Sequence, residues 1–171
     1  MDKLIPLLPL AFCGAATSAT AADLELKIEI PVLNVAEYHR PYVAIWLESP
    51  DRTVTNLAVW YDLKKRDNEG TQWLKDLRQW WRRIGRELQM PADGVTSATR
   101  APGEHTVTFD AAKVPLKDLA PGEYRLMVEA TREVGGRELL ETTFQWPVKQ
   151  ARTFPLQGSR ELGAVTVKVT P

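Results

Sequence analysis

The sequence predicts a mainly β fold, an antiparallel immunoglobulin-like β-sandwich with one inserted amphipathic helix. Short segments in which apolar and polar residues alternate recur along the chain, and turn residues separate them. Only one segment, about residues 72–88, has the three- and four-residue apolar spacing of a helix. Because strands and helices do not alternate along the chain, a parallel α/β sheet is not expected.

Seven strands are predicted, and two of them differ in an informative way. The stretch "LELKIEI" alternates strictly, as in a strand with one buried face. The stretch "YVAIWLES" is apolar on both faces, so we expect it at the centre of a sheet. Gly135 and Gly136 predict a hairpin turn. The predicted strands are residues 24–30, 42–49, 53–62, 104–110, 119–133, 137–146 and 161–170.

The stretch "LAPGEY", residues 119–124, resembles the tyrosine corner of immunoglobulin-like sandwiches. In such a corner, a tyrosine hydroxyl near the start of a strand bonds to the backbone a few residues upstream. Tyr124 has the position that this contact requires, which favours the sandwich architecture.

The helical segment carries two apolar stripes and ends before Pro91, which cannot continue a helix. One stripe is expected to pack on a sheet, and it consists of Leu74, Leu77, Trp81, Ile84 and Leu88. A second stripe beside it contains Trp73 and Trp80. For these two tryptophans, a core role and a role as a ligand-stacking wall are equally compatible with the sequence.

Residues 1–22 have the pattern of a secretory signal peptide. Lys3 precedes the apolar run "LIPLLPLAFCGAA", and the small-residue segment "TSATAA" provides a cleavage site. The apolar run is too short and too interrupted by proline to form a spanning helix. We therefore expect a periplasmic protein whose residues 23–171 form a single domain that does not span the membrane. The sole cysteine, Cys13, lies inside the signal, so the mature domain is expected to have no disulfide and no thiolate metal site.

Charge composition argues against one class of partner. The chain has 22 Lys and Arg residues against 22 Asp and Glu residues, and its formal net charge is zero. Nucleic-acid-binding domains usually carry a basic excess. We therefore expect no nucleic-acid partner.

The loop 92–102 lies between the helical segment and the next strand, and it is richer in small polar residues than a turn requires. It contains Asp93-Gly94-Val95-Thr96-Ser97-Ala98-Thr99. This stretch resembles a flavinylation motif, in which an FAD:protein FMN transferase joins FMN through its phosphate to the last threonine, here Thr99. Ser97 stands where the motif more usually has glycine, which is a small departure. A hydrophilic loop with chance Ser and Thr content is the alternative.

Nearly all of residues 23–170 resemble the periplasmic domain-of-unknown-function 2271 family. The stretches that carry this resemblance are "HRPYVAIWLE", "LAVWYD", "WLKDLRQWW", "DGVTSATRAPGEH" and "GEYRLMVEATREVGGREL". The resemblance implies an association with flavin transferases and with membrane redox proteins of the PepSY type, in iron assimilation or electron transfer outside the cytoplasm.

Further residues are candidates for holding a flavin attached at Thr99. Arg100 could bind the phosphodiester, and His105 could hydrogen-bond the flavin, whereas His39 is expected to be structural. Trp73 and Trp80 are the candidate stacking walls. The two histidines are far apart in sequence and predict no metal site.

These residues together predict a periplasmic electron-transfer protein with FMN covalently linked to Thr99. Such a protein is better described as a redox carrier than as an enzyme, because it need not bind a substrate. Two alternatives remain open. One is an unmodified ligand-binding or accessory module of a PepSY-type membrane protein, and the other is a flavin-dependent reductase.

Overall fold

The computed structural model describes residues 23–171, and the predicted signal peptide lies outside this range. Nine strands form two sheets that pack face to face, which confirms the predicted β-sandwich. The strands are β1 Asp23–Ile30, β2 Tyr42–Glu48, β3 Val54–Tyr61, β4 Thr96–Ala98, β5 Gly103–Asp110, β6 Gly122–Thr131, β7 Arg137–Trp146, β8 Arg152–Gln157 and β9 Ala164–Thr170.

The two sheets differ in their pairing. The four-stranded sheet has the order β5-β1-β9-β8, and all its pairs are antiparallel. The five-stranded sheet has the order β4-β3-β2-β6-β7, and its β3–β4 pair is parallel. The expectation of a wholly antiparallel fold is therefore corrected at one edge. This exception matters because β4 belongs to the segment that contains the predicted flavinylation motif.

The main core lies between the sheets, and a second core lies on the outer face of the five-stranded sheet. Val43, Ile45 and Leu47 of β2 point into the main core, while Ala44 and Trp46 point into the second. Strand β2 lies between β3 and β6, so the prediction of a central strand with two apolar faces is confirmed. The second core exists because the helical segment covers this face.

The sequence analysis missed two strands. Strand β8 contains Pro155, which lacks a backbone N–H and usually argues against a strand. It is tolerated here because β8 is the edge of the four-stranded sheet. Strand β4 has only three residues, which is too short for an alternating pattern to be visible.

The helical segment is present, but it is not the single helix predicted over residues 72–88. It consists of a 3₁₀ segment at Arg66–Asp76 that is kinked at Asp67 and Asn68, the helix α1 at Arg78–Arg83, and a 3₁₀ turn at Gly85–Glu87. The helical backbone is interrupted at Leu77, which has φ −73° and ψ 70°, and again at Ile84, which has φ −148°. The apolar pattern predicted that Leu74 and Leu77 pack on the sheet, but it could not predict these bends.

The carboxylate of Glu129, fully buried on β6, determines where α1 begins. It accepts hydrogen bonds from the backbone N–H groups of Gln79 (3.0 Å) and Trp80 (2.8 Å). These N–H groups have no partner within the helix because they belong to its first turn. The contact fixes the helical segment to the centre of the sheet.

The tyrosine corner is also confirmed. The Tyr124 hydroxyl donates a hydrogen bond of 2.9 Å to the backbone oxygen of Ala120.

Across residues 23–171, no helix is long and apolar enough to cross a membrane.

Candidate functional site

The segment 92–102 begins with a tight turn. Ala92 closes it, since its oxygen accepts from the Thr96 N–H at 3.0 Å and its own N–H donates to Thr96 Oγ1 at 2.9 Å. Gly94 has φ 72°, a left-handed conformation that favours glycine. Asp93 and Gly94 are exposed at the tip of the turn. Thr96 therefore has a structural use for its hydroxyl, whereas Asp93 is free to contact another molecule.

After the turn, the segment is a strand and not the free loop that the sequence predicted. Ser97 and Ala98 pair with Trp60 and Tyr61 of β3. The Thr99 N–H continues the ladder by donating to the Tyr61 oxygen at 3.2 Å. The backbone of Thr99 is therefore fixed, while its side chain is half-buried and lines a cavity.

This cavity, called the Thr99 cavity below, has a volume of about 340 Å³. It lies where the carboxyl ends of β3, β4 and β6 meet the amino end of β2. The helical segment forms one wall. The lining residues come from these four strand ends and this wall, and they are Tyr38, His39, Arg40, Tyr42, Asp62, Lys65, Trp73, Asp76, Thr99, Thr131, Arg132 and Glu133.

Aromatic side chains give the cavity flat apolar surfaces. Trp73 is half-buried, and the Lys65 ammonium lies 3.8 Å from the centroid of its ring, a cation–π contact. The Tyr42 hydroxyl donates to the Gly70 oxygen at 3.0 Å. Burial raises the pKa of Tyr42 to about 12, so this hydroxyl keeps its proton. Trp73 therefore lines the same cavity as Thr99.

Charges in the Thr99 cavity are balanced. Its three Lys and Arg residues are matched by three acidic residues, Asp62, Asp76 and Glu133. His39, expected to be structural, also lines it, with Nε2 2.8 Å from Glu37 Oε1 and Nδ1 3.6 Å from Glu133 Oε2. The cavity is therefore suited to a mixed aromatic and polar ligand and not to a simple anion.

Two predicted residues, Arg100 and His105, lie on the other side of the segment. The Arg100 guanidinium is 5.3 Å from the centroid of the Trp60 ring and lines a second cavity, of about 400 Å³, together with Ser97. His105 packs edge-on against Trp60, and its Nε2 lies 2.7 Å from the Ala101 oxygen. The structure therefore does not bring Arg100 or His105 into the Thr99 cavity.

Trp80 requires a correction. It is fully buried between the helical segment and the sheet, and its Nε1 donates to Asn56 Oδ1 at 3.1 Å. It does not line the Thr99 cavity and has no surface on which a ligand could stack. Trp81, which was expected in the core, is only half-buried. The bend at Leu77, directly before α1, explains this exchange, because it changes the rotation of the helix so that Trp80 is buried more deeply than Trp81.

The sequence analysis missed most of the lining residues. Tyr38, Arg40, Lys65 and Arg132 belong to three separate stretches, and no local pattern connects them. The one available signal is position, since residues 38–40 and Lys65 lie next to predicted strands and Arg132 lies at the end of one. Within residues 23–171, no group of three or more His, Cys, Asp or Glu side chains could hold a metal ion.

The fold and the site together define a β-sandwich protein with a ligand-sized cavity beside a half-exposed threonine. Comparison with known proteins then gives the family. Residues 23–164 match the model described as "Predicted periplasmic protein (DUF2271)", and the chain belongs to this family. Neither the curated proteins nor the solved structures include a match to the chain.

Proposed function

We propose that this predicted periplasmic protein is an electron carrier with FMN covalently linked to Thr99 through a phosphoester. The observation that carries the proposal is the position of Thr99. The last threonine of the flavinylation-like stretch has a fixed backbone, a half-buried side chain, and a cavity with Trp73 and Tyr42 in its wall.

The residues of this cavity fit a flavin in size and in chemistry. A volume of about 340 Å³ lies within the range of small-molecule sites, about 300–1,000 Å³. Trp73 and Tyr42 offer aromatic surface, and stacking on such rings contributes about 0.5–1.5 kcal/mol beyond simple burial. The polar lining residues provide donors and acceptors for the heteroatoms of the ring system.

The attachment reaction balances with FAD as the donor. The Thr99 Oγ forms a bond to the flavin-side phosphorus, the pyrophosphate bond breaks, AMP leaves, and the hydroxyl gives up its proton. An FAD:protein FMN transferase is therefore the required partner. Asp93 and Gly94 at the exposed turn offer it an approach without bulky side chains.

The chain's own residues would hold and shield the group. The β3–β4 pairing fixes the anchor point at Thr99. Trp73 of the helical segment and Lys65, which directly precedes this segment, form one wall. A bound flavin would supply the reversible uptake of one or two electrons. Covalent attachment suits the periplasm, where a free cofactor would diffuse away.

A second candidate function is an unmodified ligand-binding or accessory module of a PepSY-type membrane protein. The second cavity, beside Arg100, is the observation that favours it, because its volume of about 400 Å³ is separate from the Thr99 side chain. In this case Thr99 would carry no group.

Flavin fluorescence in a denaturing gel separates these functions. We expect the protein exported together with its transferase to give a fluorescent band, because a covalent flavin remains on the unfolded chain. Thr99→Ala is expected to abolish the band. Thr106→Ala, at an exposed threonine on β5, is the matched control and should keep it. A non-fluorescent wild-type band would favour the accessory module.

Steady-state reduction of a ferric complex then separates carrier from reductase. A carrier takes its electrons from a redox protein, so we expect the flavinylated protein to show no sustained reduction of a ferric complex when NADH is the only electron donor. Sustained turnover that is lost in Thr99→Ala would identify a reductase instead.

A further inference from the structure

Two buried hydrogen-bond donors of the Thr99 cavity have no partner among the residues that the structure describes. They are the Tyr38 hydroxyl and Nη1 of Arg132. Arg132 is only 9% exposed. Buried donors are almost always paired, because leaving one without an acceptor is costly. Two such donors in one cavity indicate a ligand that carries acceptor atoms.

The orientation of Arg132 is fixed by Glu161. Nε and Nη2 donate to the two carboxylate oxygens at 2.9 and 3.3 Å, which leaves Nη1 as the free corner of the guanidinium. Glycine at position 135 makes this geometry possible, since a Cβ there would lie 2.6 Å from Arg132 Cζ. The guanidinium is therefore held in place before any ligand binds.

The Tyr38 hydroxyl is available only as a neutral donor. Burial raises the pKa of Tyr38, and the nearby charges of Arg132 and Arg40 only partly oppose this effect. The hydroxyl therefore keeps its proton at neutral pH and needs an acceptor.

The register of the five-stranded sheet separates these donors from Thr99. Ala98 pairs with Tyr61, and Tyr42 pairs with Thr131. The Tyr42 and Tyr61 rings lie 6.2 Å apart. Neighbouring strands therefore place four residues in a row, in the order Ala98, Tyr61, Tyr42 and Thr131. Thr99 follows Ala98 and Arg132 follows Thr131, so three strand spacings, roughly 14 Å, separate their backbones. A phosphate esterified to Thr99 cannot extend over this distance, whereas a ribityl chain with three fused rings can.

We propose that Arg132 Nη1 and the Tyr38 hydroxyl bind the carbonyl-bearing pyrimidine ring of the flavin whose phosphate is joined to Thr99. This inference rests on the proposed function and specifies which end of the cavity receives the ring. Donors at this edge favour the negative charge that the ring gains on reduction. Arg132 and Tyr38 therefore raise the reduction potential of the bound flavin.

Titration of riboflavin into the unmodified protein tests the inference without the ester bond. Riboflavin has the ring but no phosphate, and binding is read from the quenching of its fluorescence. We expect wild type to bind. Tyr38→Phe is expected to weaken binding about 3–10-fold, as the loss of one neutral hydrogen bond does. Arg132→Lys is expected to weaken it about 10–100-fold, because a charged hydrogen bond is lost.

Tyr124→Phe is the matched control, because it removes a hydroxyl at the opposite end of β6. It should leave riboflavin affinity unchanged. On the flavinylated protein, Tyr38→Phe and Arg132→Lys should lower the midpoint potential, and Tyr124→Phe should not. The unfolding temperature of each variant shows whether the fold is kept. If Arg132→Lys unfolds, Tyr38→Phe still tests the inference, because it removes only a hydroxyl and keeps the aromatic side chain.

The inference is overturned if wild type does not bind riboflavin, or if Tyr38→Phe binds it as wild type does. Either result is compatible with a fluorescent band that depends on Thr99, in which case the carrier function stands and only the position of the ring is wrong. If riboflavin binding depends on Tyr38 but the protein never acquires a covalent flavin, the cavity binds flavins as inferred and the proposed carrier function is wrong.

Discussion

Trp80→Ala is expected to lower the free energy of unfolding by about 3–5 kcal/mol, the usual cost of removing a fully buried tryptophan. The indole is 0% exposed, donates to Asn56, and packs so closely on Gly85 that no side chain fits there. Each kcal/mol lowers the unfolding temperature of a domain of this size by about 2–4 °C. Thermal unfolding followed by circular dichroism measures the effect.

Because Trp80 fixes the helical segment to the sheet, its loss should also affect the Thr99 cavity. Trp73 belongs to the same segment, Lys65 directly precedes it, and both form part of the cavity wall. We therefore expect Trp80→Ala to reduce flavin incorporation at temperatures where the domain is still folded. Trp81→Ala, at the half-buried neighbour, is the control and should cost less. Equal losses for both variants would show that Trp80 does not hold the segment in place.

Glu129→Gln is expected to cost about 2–4 kcal/mol, although it changes only one atom of a buried side chain. The carboxylate accepts from the N–H groups of Gln79 and Trp80 and from Arg137 Nε. An amide keeps one acceptor and places an NH₂ group against another donor. The Arg137 guanidinium also loses its charged partner. Urea unfolding at neutral pH measures this loss.

Glu123→Gln is the matched control for this substitution, since Glu123 lies on the same strand but is exposed. Its free energy of unfolding should stay within about 0.5 kcal/mol of wild type. If Glu129→Gln were as stable as the control, Glu129 would not be the group that starts α1. The bend at Leu77 would then need another cause.

Local sequence patterns predicted the fold where burial decides which faces of a segment are apolar, or where neighbouring residues make the contact. The two apolar faces of "YVAIWLES" placed β2 at the centre of its sheet, and the "LAPGEY" stretch predicted the Tyr124 contact. Periodicity failed where a distant group decides the local structure. The helix predicted over 72–88 is interrupted because Glu129, about fifty residues away, determines where α1 starts.

The candidate site was predictable only in its local part. Thr99 and Trp73 could be proposed from neighbouring residues, and the structure brings both to one cavity. Tyr38 and Arg132 could not, because only the pairing of β2 with β6 brings residues 38 and 132 together. Trp80 and Arg100 were assigned from closeness in sequence. The bend at Leu77 directs Trp80 into the core, and Arg100, which follows Thr99 beyond the end of β4, lies beside Trp60 instead.

The proposed electron carrier requires that one oxygen, Thr99 Oγ1, carries the flavin. Mass spectrometry of the intact protein, exported together with its transferase, tests this most directly when peptide fragmentation then locates the modification. We predict an added mass of one FMN less one water, present on the peptide that contains residue 99 and absent from Thr99→Ala. An unmodified wild-type mass, or an FMN found on Thr96 or Ser97, would contradict the account.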